Sequence, residues 1–227
     1  MDEQAARKVY GFWKHSAPSG IADYLTRKGV GSYGIRFQFS EKYGNTAVVP
    51  MFDRNGRLWN RQLLNPDGTK LMAKDGKTDG LFHKLQEPVN GHPIGIAESY
   101  VTAATCYELI KFLVVCAFSC ENLVSVTEIM LSLFPASLII LFADNDLHLA
   151  EQRKVNKGIL KAQEAKKLNE GRIVLVKPNF VDLKPSKEAI DWNDLVRLRG
   201  NDEARRQISV KLMFFKDCRR LAIFLQK

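Results

Sequence analysis

The chain has 227 residues, which is long enough to bury one large hydrophobic core or two small ones. Hydrophobic residues make up 45% and charged residues 26%, as is typical of a soluble globular protein. The longest uncharged apolar stretch, residues 131–143, contains Pro135 and is too short to cross a bilayer. The net charge of +9 favours a polyanionic partner, either a nucleic acid or an anionic membrane surface.

The cysteines and the amino terminus indicate the cellular compartment. The four cysteines, at positions 106, 116, 120 and 218, form no C-x-x-C pair, so we do not expect a structural zinc site. Unpaired cysteines fit a reducing cytosol, and the first residues lack the charged and apolar regions of a signal peptide. We therefore expect a cytoplasmic protein that is not associated with a membrane.

The amino-terminal part of the chain changes from helical to extended patterning. Hydrophobic spacing predicts helices within residues 2–29, with a break at Pro18-Ser19-Gly20. From residue 35 to about residue 85, apolar and polar residues alternate, and turns are predicted at residues 53–56 and 65–68. This pattern predicts an antiparallel β-meander that forms a small sheet of its own.

After Pro88 the pattern becomes strand–helix–strand. We predict strands near 94–97, 113–117, 137–142 and 172–176, and helices near 99–111, 121–133 and 148–169. This order is typical of βαβ units with a mostly parallel sheet flanked by helices. The predicted fold class is therefore α/β (α+β overall when the amino-terminal β-meander is included).

Basic and apolar residues alternate in the tail from about Asp202, which predicts one or two amphipathic helices packed on the domain. We predict three segments. They are an amino-terminal helical and antiparallel-β subdomain at residues 1–88, an α/β domain at 89–200 and a helical tail at 201–227.

Acidic residues follow two of the predicted strands. Glu98 comes directly after residues 94–97, and Asp144 and Asp146 follow the apolar run that ends at Ala143. The carboxyl ends of parallel strands meet at one edge of a sheet, where α/β proteins place their ligands. Carboxylates at one edge repel each other unless a cation or a shared proton intervenes. On a chain with net charge +9, the pattern predicts a divalent-metal site that faces a polyanion.

A third acidic segment lies further along the chain, with Asp191 and Asp194 in the sequence Asp191-Trp192-Asn193-Asp194. Carboxylate oxygens are preferred ligands of Mg²⁺ and Mn²⁺. Such an ion neutralises phosphate charge and orients an attacking group for in-line displacement. The sequence contains no H-E-x-x-H, G-x-S-x-G, Walker or G-x-G-x-x-G motif, so these other chemistries lack support.

These motifs, in this order, resemble the Toprim domain of primases, topoisomerases and some nucleases. The resemblance is carried by the glutamate motif at residues 96–100 and the D-x-D motif at 142–146. Plasmid- and phage-borne primases of the DnaG-like type have similar motifs at residues 191–195, 22–30 and 49–58. Two departures are Ser99, where the relatives have glycine, and residues 119–123, where they read D-A-G-N-L.

The resemblance implies a DNA primase core that makes RNA primers on single-stranded DNA from NTPs for plasmid, phage or mobile-element replication. It implies that Asp144 and Asp146 bind Mg²⁺ or Mn²⁺, and that Glu98 holds the metal indirectly or assists the 3′-hydroxyl. Asp191 and Asp194 would lie at the edge of the same site. A replicative helicase or a zinc-binding template-recognition domain is an implied partner.

Basic residues that alternate with aromatic ones indicate contact with a single strand or a nucleotide. The candidates in the amino-terminal half are Arg57, Arg61, Lys70 and Lys74. Lys70 also matches, through the resemblance, a lysine on the surface of these primases that faces nucleic acid and nucleotide. Asn156 and Lys157 either approach a triphosphate or cap the helix that follows the aspartates.

Two other functions stay open. A Toprim nuclease uses the same kind of metal site with water as the nucleophile. A domain that binds nucleic acid without catalysis needs only the basic surface.

Overall fold

The structure is a computed structural model that describes residues 3–89, 91–146, 149, 155–180 and 188–214. It contains two β-sheets with helices packed against them, which confirms the predicted fold class. In this described part of the chain, no helix combines the length and apolar character needed to cross a membrane.

The first sheet is formed by the amino-terminal part of the chain. Its elements are α1 (Glu3–His15), α2 (Asp23–Lys28), β1 (Arg36–Ser40), β2 (Gly44–Phe52), β3 (Leu58–Leu64) and β4 (Lys70–Met72). The strands are antiparallel in the order β1-β2-β3-β4, so the predicted β-meander is confirmed. Helix α1 packs against β3.

The second sheet has the predicted alternation of strands and helices. Its elements are β5 (His83–Lys84), β6 (Ile94–Ala97), α3 (Tyr100–Ile110), β7 (Val114–Cys116), α4 (Leu123–Leu133), β8 (Ile139–Phe142), α5 (Lys157–Lys166), β9 (Ile173–Val176) and α6 (Trp192–Leu212). The strand order is β5-β7-β6-β8-β9. All neighbouring pairs are parallel except β5 and β7, so the predicted mostly parallel sheet is confirmed.

Helices cover both faces of this sheet, which explains why its strands are continuous apolar runs. Every residue of β6 and β8 is buried. Alternate residues point to opposite faces of a strand. Accordingly, Ala97 and Phe142 belong to one hydrophobic cluster, whereas Ile96 and Leu141 belong to the other.

Within the helix predicted at 148–169, the structure describes helical backbone at Leu149 and at Lys157–Lys166. The prediction of one continuous helix is wrong at residues 155 and 156, which are not helical, because the Asn156 side chain caps the helix that begins at Lys157. Most of the start of the predicted range lies outside the described residues. Helix α6 begins at Trp192 and is kinked at Gly200, whose φ of 83° and ψ of 170° are not helical. The predicted segment boundaries stay predictions, although β5 already pairs with the second sheet.

Beyond the kink, α6 includes the first part of the predicted tail. Ala204, Ile208 and Leu212 recur every four residues and are fully buried, which fits an amphipathic helix packed on the domain. Residues 215–227 of the tail lie outside the described residues.

Candidate metal centre

The ends of β6 and β8 lie side by side. The two strands are parallel neighbours, and Ala97 pairs in register with Phe142. Glu98 therefore leaves the sheet one residue after Ala97, next to the point where the chain continues from Phe142 to Asp144. We call Glu98, Asp144, Asp146 and Asp191 the acidic cluster, because each affects or feels the charge of another member.

The turn after Glu98 is fixed by a helix cap. The Ser99 side chain accepts a hydrogen bond of 3.1 Å from the backbone N–H of Thr102, in the first turn of α3. A serine at this position satisfies a helix amide that would otherwise lack a partner. Ser99, which departs from the glycine of the resembling primases, is therefore compatible with a sharp strand-to-helix turn.

Burial dominates the electrostatics of Glu98. Desolvation, followed by the negative charge of Asp146, raises the pKa of the Glu98 carboxyl from 4.5 to about 7. A hydrogen bond from the backbone of Asp144 and the positive charge of Lys70 oppose the increase. Among the described residues, Glu98 Oε1 is buried without a hydrogen-bond partner. The carboxylate therefore favours a proton or a cation.

Burial and neighbouring charges also raise the pKa of Asp144. Its burial raises the pKa of its carboxyl well above 3.8, and the charges of Glu98, Asp191 and Asp146 add to the increase. Its Oδ1 atom is also buried, and it accepts no hydrogen bond from the described part of the protein. Two neighbouring buried acceptors without donors are costly, since each has lost water without gaining a partner.

These oxygens fit a divalent metal in their chemistry. Hard carboxylate oxygens are the ligands that Mg²⁺ and Mn²⁺ take, and such ions keep several waters in the remaining positions. However, the described residues include no group of three or more His, Cys, Asp or Glu side chains in an arrangement that could hold a metal ion. The structure thus places buried carboxylates in mutual electrostatic contact but does not form a complete ligand set.

Asp191 and Asp194 cap helix α6 together. Asp191 Oδ1 accepts a hydrogen bond of 2.8 Å from the backbone N–H of Asp194, and Asp194 Oδ2 accepts from the N–H groups of Ile190 and Asp191. This is a capping box with aspartate at both positions. Asp194 Oδ1 is also 3.3 Å from Lys28 Nζ. The capping box and ion pair engage Asp194 in the fold, and its role as a metal ligand stays a prediction.

Asn145 is a positioning residue that sequence reasoning missed. It is buried between the two aspartates, and its Nδ2 donates a hydrogen bond of 2.8 Å to the carbonyl of Pro178. Its backbone N–H donates, also at 2.8 Å, to the carbonyl of Ile190. These bonds join the segment with Asp144 and Asp146 to the loop after β9 and to the residue before Asp191. An asparagine between two aspartates at a strand end was the available signal.

The first turn of α5 packs directly against the acidic cluster. Asn156 caps this helix through its side chain, which accepts a hydrogen bond of 3.2 Å from Ile159 N. Lys157 is exposed, and the buried Gly158 follows it. A Cβ atom at Gly158 would lie 2.7 Å from Glu98 Oε1. Only glycine lets the helix approach the Glu98 carboxylate this closely, a role that the sequence signals only as a glycine inside a helix.

Gly158→Ala is therefore expected to destabilise the protein, whereas Gly11→Ala is expected to stabilise it. Both glycines lie in helices, where alanine is favoured by about 0.5–1 kcal/mol. A Cβ at Gly11 has no atom within 4 Å, so this variant reports helix propensity alone. Thermal unfolding of both variants measures the contrast. Equal stabilisation would show that the Glu98 carboxylate moves away from the added Cβ without cost, so that position 158 does not require glycine.

The structure divides the predicted basic residues into two groups. Lys70 is exposed on β4. Its positive charge opposes the increase in the pKa values of Glu98, Asp144 and Asp191. Its position thus links the first sheet with the acidic cluster. Its role in binding nucleic acid or nucleotide stays a prediction.

Arg57, Arg61 and Lys74 lie along helix α1 instead. Arg57 forms an ion pair with Glu3 and stacks over the ring of Trp59, with 4.0 Å from its Cζ to the ring centroid. Arg61 stacks over the ring of Phe12 at 3.9 Å. Arg61 and Lys74 line a cavity of 410 Å³ beside α1. Their roles in binding nucleic acid or nucleotide stay predictions.

Comparison with known proteins agrees with the fold. Residues 93–202 match the model of a protein family described as Toprim domain. This range contains every member of the acidic cluster. This part of the chain is therefore similar to a Toprim domain.

Two longer proteins that are similar to this chain are described as primases. The chain is 33% identical over 155 residues to two proteins from Escherichia coli described as DNA primase TraC. The match covers 66% of this chain but only 14% and 10% of those relatives.

Solved structures of primases share the fold. The primase fragment of the bacteriophage T7 primase-helicase protein aligns with a TM-score of 0.60 and 18% identity, over 86% of this chain and 77% of that one. A DnaG primase catalytic domain bound to ssDNA aligns with a TM-score of 0.57 and 11% identity, over 92% and 78%. The resemblance to a Toprim primase core predicted from the sequence is confirmed.

Proposed function

We propose that this chain is the catalytic core of a DNA primase that synthesises short RNA primers on single-stranded DNA. The observation that carries the proposal is the acidic cluster at the carboxyl edge of a Toprim sheet. There Glu98 Oε1 and Asp144 Oδ1 are buried without donors among the described residues, close to the cation of Lys70. The primases of plasmid type that resemble this domain support a role in plasmid, phage or mobile-element replication.

The proposed site uses Mg²⁺ or Mn²⁺ held by Asp144 and Asp146, with Glu98 beside it and Asp191 and Asp194 at its edge. When bound, such an ion neutralises phosphate charge and orients the attacking hydroxyl for in-line displacement of pyrophosphate. Burial of the carboxylates supports this assignment, because a dication compensates the cost of their desolvation.

The protein's own residues supply positioning around that site. Lys70 is proposed to bind the triphosphate of the incoming NTP, since an ammonium is a strong point charge for phosphate. Asn156 and Lys157 stand at the start of α5, where helix amides favour an anion. Arg57, Arg61 and Lys74 are proposed to contact nucleic acid along α1.

The proposed partners are a single-stranded DNA template, NTPs, and a replicative helicase or a zinc-binding domain that recognises the template. The similar T7 fragment comes from a protein described as a primase-helicase, which supports a helicase partner. The relatives described as TraC are far longer than this chain, so further domains in the same polypeptide are an equivalent arrangement.

A Toprim nuclease is the second candidate, since the same carboxylates would support hydrolysis with water as the nucleophile. The position of Lys70 favours the primase. It places a cation from a separate antiparallel sheet next to the acidic cluster, as a nucleotide platform requires.

The decisive experiment incubates the protein with single-stranded DNA, labelled NTPs and Mg²⁺ or Mn²⁺. Short RNA products that depend on both NTPs and template are expected. Shortened DNA without incorporation of label would support the nuclease. If neither reaction occurs but DNA is bound, only a binding domain remains.

A further inference from the structure

A basic cleft separates the loop after β9 from helix α6. We call it the α6 cleft and define it by Lys177, Arg199, Glu203, Arg206, Gln207 and Lys211. Its volume is 630 Å³, which lies within the range of about 300–1,000 Å³ that is typical of ligand clefts. None of these residues belongs to the acidic cluster or to the basic residues discussed above.

The wall of the α6 cleft is held in place by hydrogen bonds. The Gln207 side chain accepts from Asn179 N at 2.8 Å and donates to Asn179 O at 2.9 Å. This two-way pairing fixes the loop after β9 onto α6, so Lys177 keeps its position relative to the helix. The cleft is therefore a built surface that does not require a ligand to assemble it.

The charge of the α6 cleft is strongly positive. Four cations and one carboxylate line it, which leaves a net charge of +3. The carboxylate of Glu203 is bound by Arg206 Nε at 2.7 Å, by its second nitrogen at 2.8 Å and by Gln207 Nε2 at 2.8 Å. The negative charge of Glu203 therefore offsets mainly the charge of Arg206, to which it is hydrogen-bonded, and not the charges of Lys177 and Lys211.

The cations of the α6 cleft are spread too widely for a compact anion. Helix α6 rises about 16 Å from Gly200 to Lys211 at about 1.5 Å per residue. A single phosphate ion would touch one end of this row, whereas a polymer of phosphates would meet all of it. The described lining contains no aromatic residue, so the contacts are to the backbone and not to stacked bases.

The location of the α6 cleft indicates which polymer enters it. Lys177 directly follows β9, the neighbour of β8 in the sheet, so the cleft begins at the edge that carries the acidic cluster. Asn145 joins the two regions through its bond to Pro178 O. The cleft and the acidic cluster are thus joined through the loop after β9. In the proposed function, the polymer held at the acidic cluster is single-stranded DNA, so this is the polyanion that we assign to the cleft.

We propose that the α6 cleft binds the sugar-phosphate backbone of single-stranded DNA, as a second contact surface next to the acidic cluster. This deepens the proposed function and rests on it for the choice of single-stranded DNA. Holding a strand here needs neither NTPs nor a metal, so binding and primer synthesis are tested separately.

The test compares two triple variants that remove the same charge. The first is Lys177→Gln, Arg199→Gln and Lys211→Gln. The control is Lys42→Gln, Lys111→Gln and Lys167→Gln, in which Lys42 lies in the β1–β2 turn. The other two control residues end α3 and α5 at the opposite edge of the parallel sheet. Binding of a fluorescent 20-nucleotide oligothymidylate is measured by anisotropy in EDTA at several salt concentrations.

The cleft variant is expected to bind at least about ten-fold more weakly at 0.1 M salt. The slope of log affinity against log salt is expected to fall by about 2, since each lost contact with a single strand removes about 0.7. The control variant is expected to keep most of the affinity and most of its salt dependence. Equal losses in the two variants, or no binding by the parent, would overturn the proposal.

A second measurement needs no variant and covers the case in which the triple variant does not fold. Lysine side chains of the parent protein are acetylated with and without the oligothymidylate, and the modified peptides are identified by mass spectrometry. Protection of Lys177 and Lys211 by the oligonucleotide is expected. Protection confined to lysines on other surfaces would contradict the proposal.

Discussion

Replacing both Asp144 and Asp146 by asparagine is expected to reduce primer synthesis by about a thousand-fold, which is the scale of losing preorganised charge stabilisation at a reacting phosphate. Asparagine keeps the shape of the side chain but removes the negative charge that a dication requires. The Asp144 carboxyl is buried and close to other carboxylates, so the neutral side chain is tolerated by the fold. The measurement is incorporation of labelled NTP on single-stranded DNA.

A matched control separates the effect at the site from a change in net charge. Asp202→Asn with Glu128→Gln also removes two negative charges, and both residues are exposed, on α6 and α4 respectively. We expect this control to keep the parent activity. Binding of single-stranded DNA is expected to persist in both double variants, since neither loses a cation. If the Asp144 and Asp146 double variant synthesised as much primer as this control, the acidic cluster would not take part in the proposed reaction.

Sequence reasoning was most successful where the physical signal is local. The apolar runs before Glu98 and Asp144 predicted two buried parallel strands, and the structure places those strands next to each other in register. A strand buried on both faces must be apolar throughout, so its first polar residue marks where it leaves the core. That is why two carboxylates at strand ends were recognisable before any coordinates.

Other features depend on contacts between distant parts of the chain, and no local pattern determines them. Arg61 and Lys70 lie in neighbouring strands, yet one stacks against α1 while the other acts on the acidic cluster. Whether a cation of these strands lies near α1 or near the acidic cluster depends on how the first sheet packs against the second. This docking uses Asn193, which donates hydrogen bonds to Lys28 O at 2.9 Å and to Thr105 at 3.0 Å.

The requirement for glycine at position 158 is of the same kind. In sequence it is one glycine in a charged helical segment, and alanine would fit the helix better. Only the approach of α5 to Glu98 gives it a reason. The positions that sequence reasoning missed, Asn145 and Gly158, orient or approach the carboxylates and carry no charge of their own.

The stability of the metal-free protein should reveal how strongly Glu98 is desolvated. The pKa of this carboxyl is raised from 4.5 to about 7, so between these pH values the folded protein holds a proton that the unfolded chain has released. Stability therefore falls as pH rises through this window, and the loss is complete above pH 7. At about 1.4 kcal/mol per pKa unit, the expected loss is about 3 kcal/mol.

Glu98→Gln removes this titration and keeps the shape of the side chain. In EDTA, the free energy of unfolding of the variant minus that of the parent is expected to grow by about 3 kcal/mol between pH 4 and pH 8. Taking the difference cancels groups that do not interact with Glu98, such as the buried His83, whose pKa is lowered to about 4 by desolvation. Asp144 does not cancel completely, because the charge of Glu98 contributes to the increase in its pKa. Urea unfolding at a series of pH values measures it.

Two further comparisons fix the interpretation of that difference. Glu128→Gln changes an exposed carboxyl, and its difference from the parent is expected to stay flat across the same pH range. Adding Mg²⁺ or Mn²⁺ at pH 8 is expected to stabilise the parent more than Glu98→Gln, because a dication offsets the buried charge that only the parent carries. If the difference in free energy of unfolding between Glu98→Gln and the parent did not change with pH, water would reach the Glu98 carboxylate. Burial of this carboxylate would then no longer support a bound cation there.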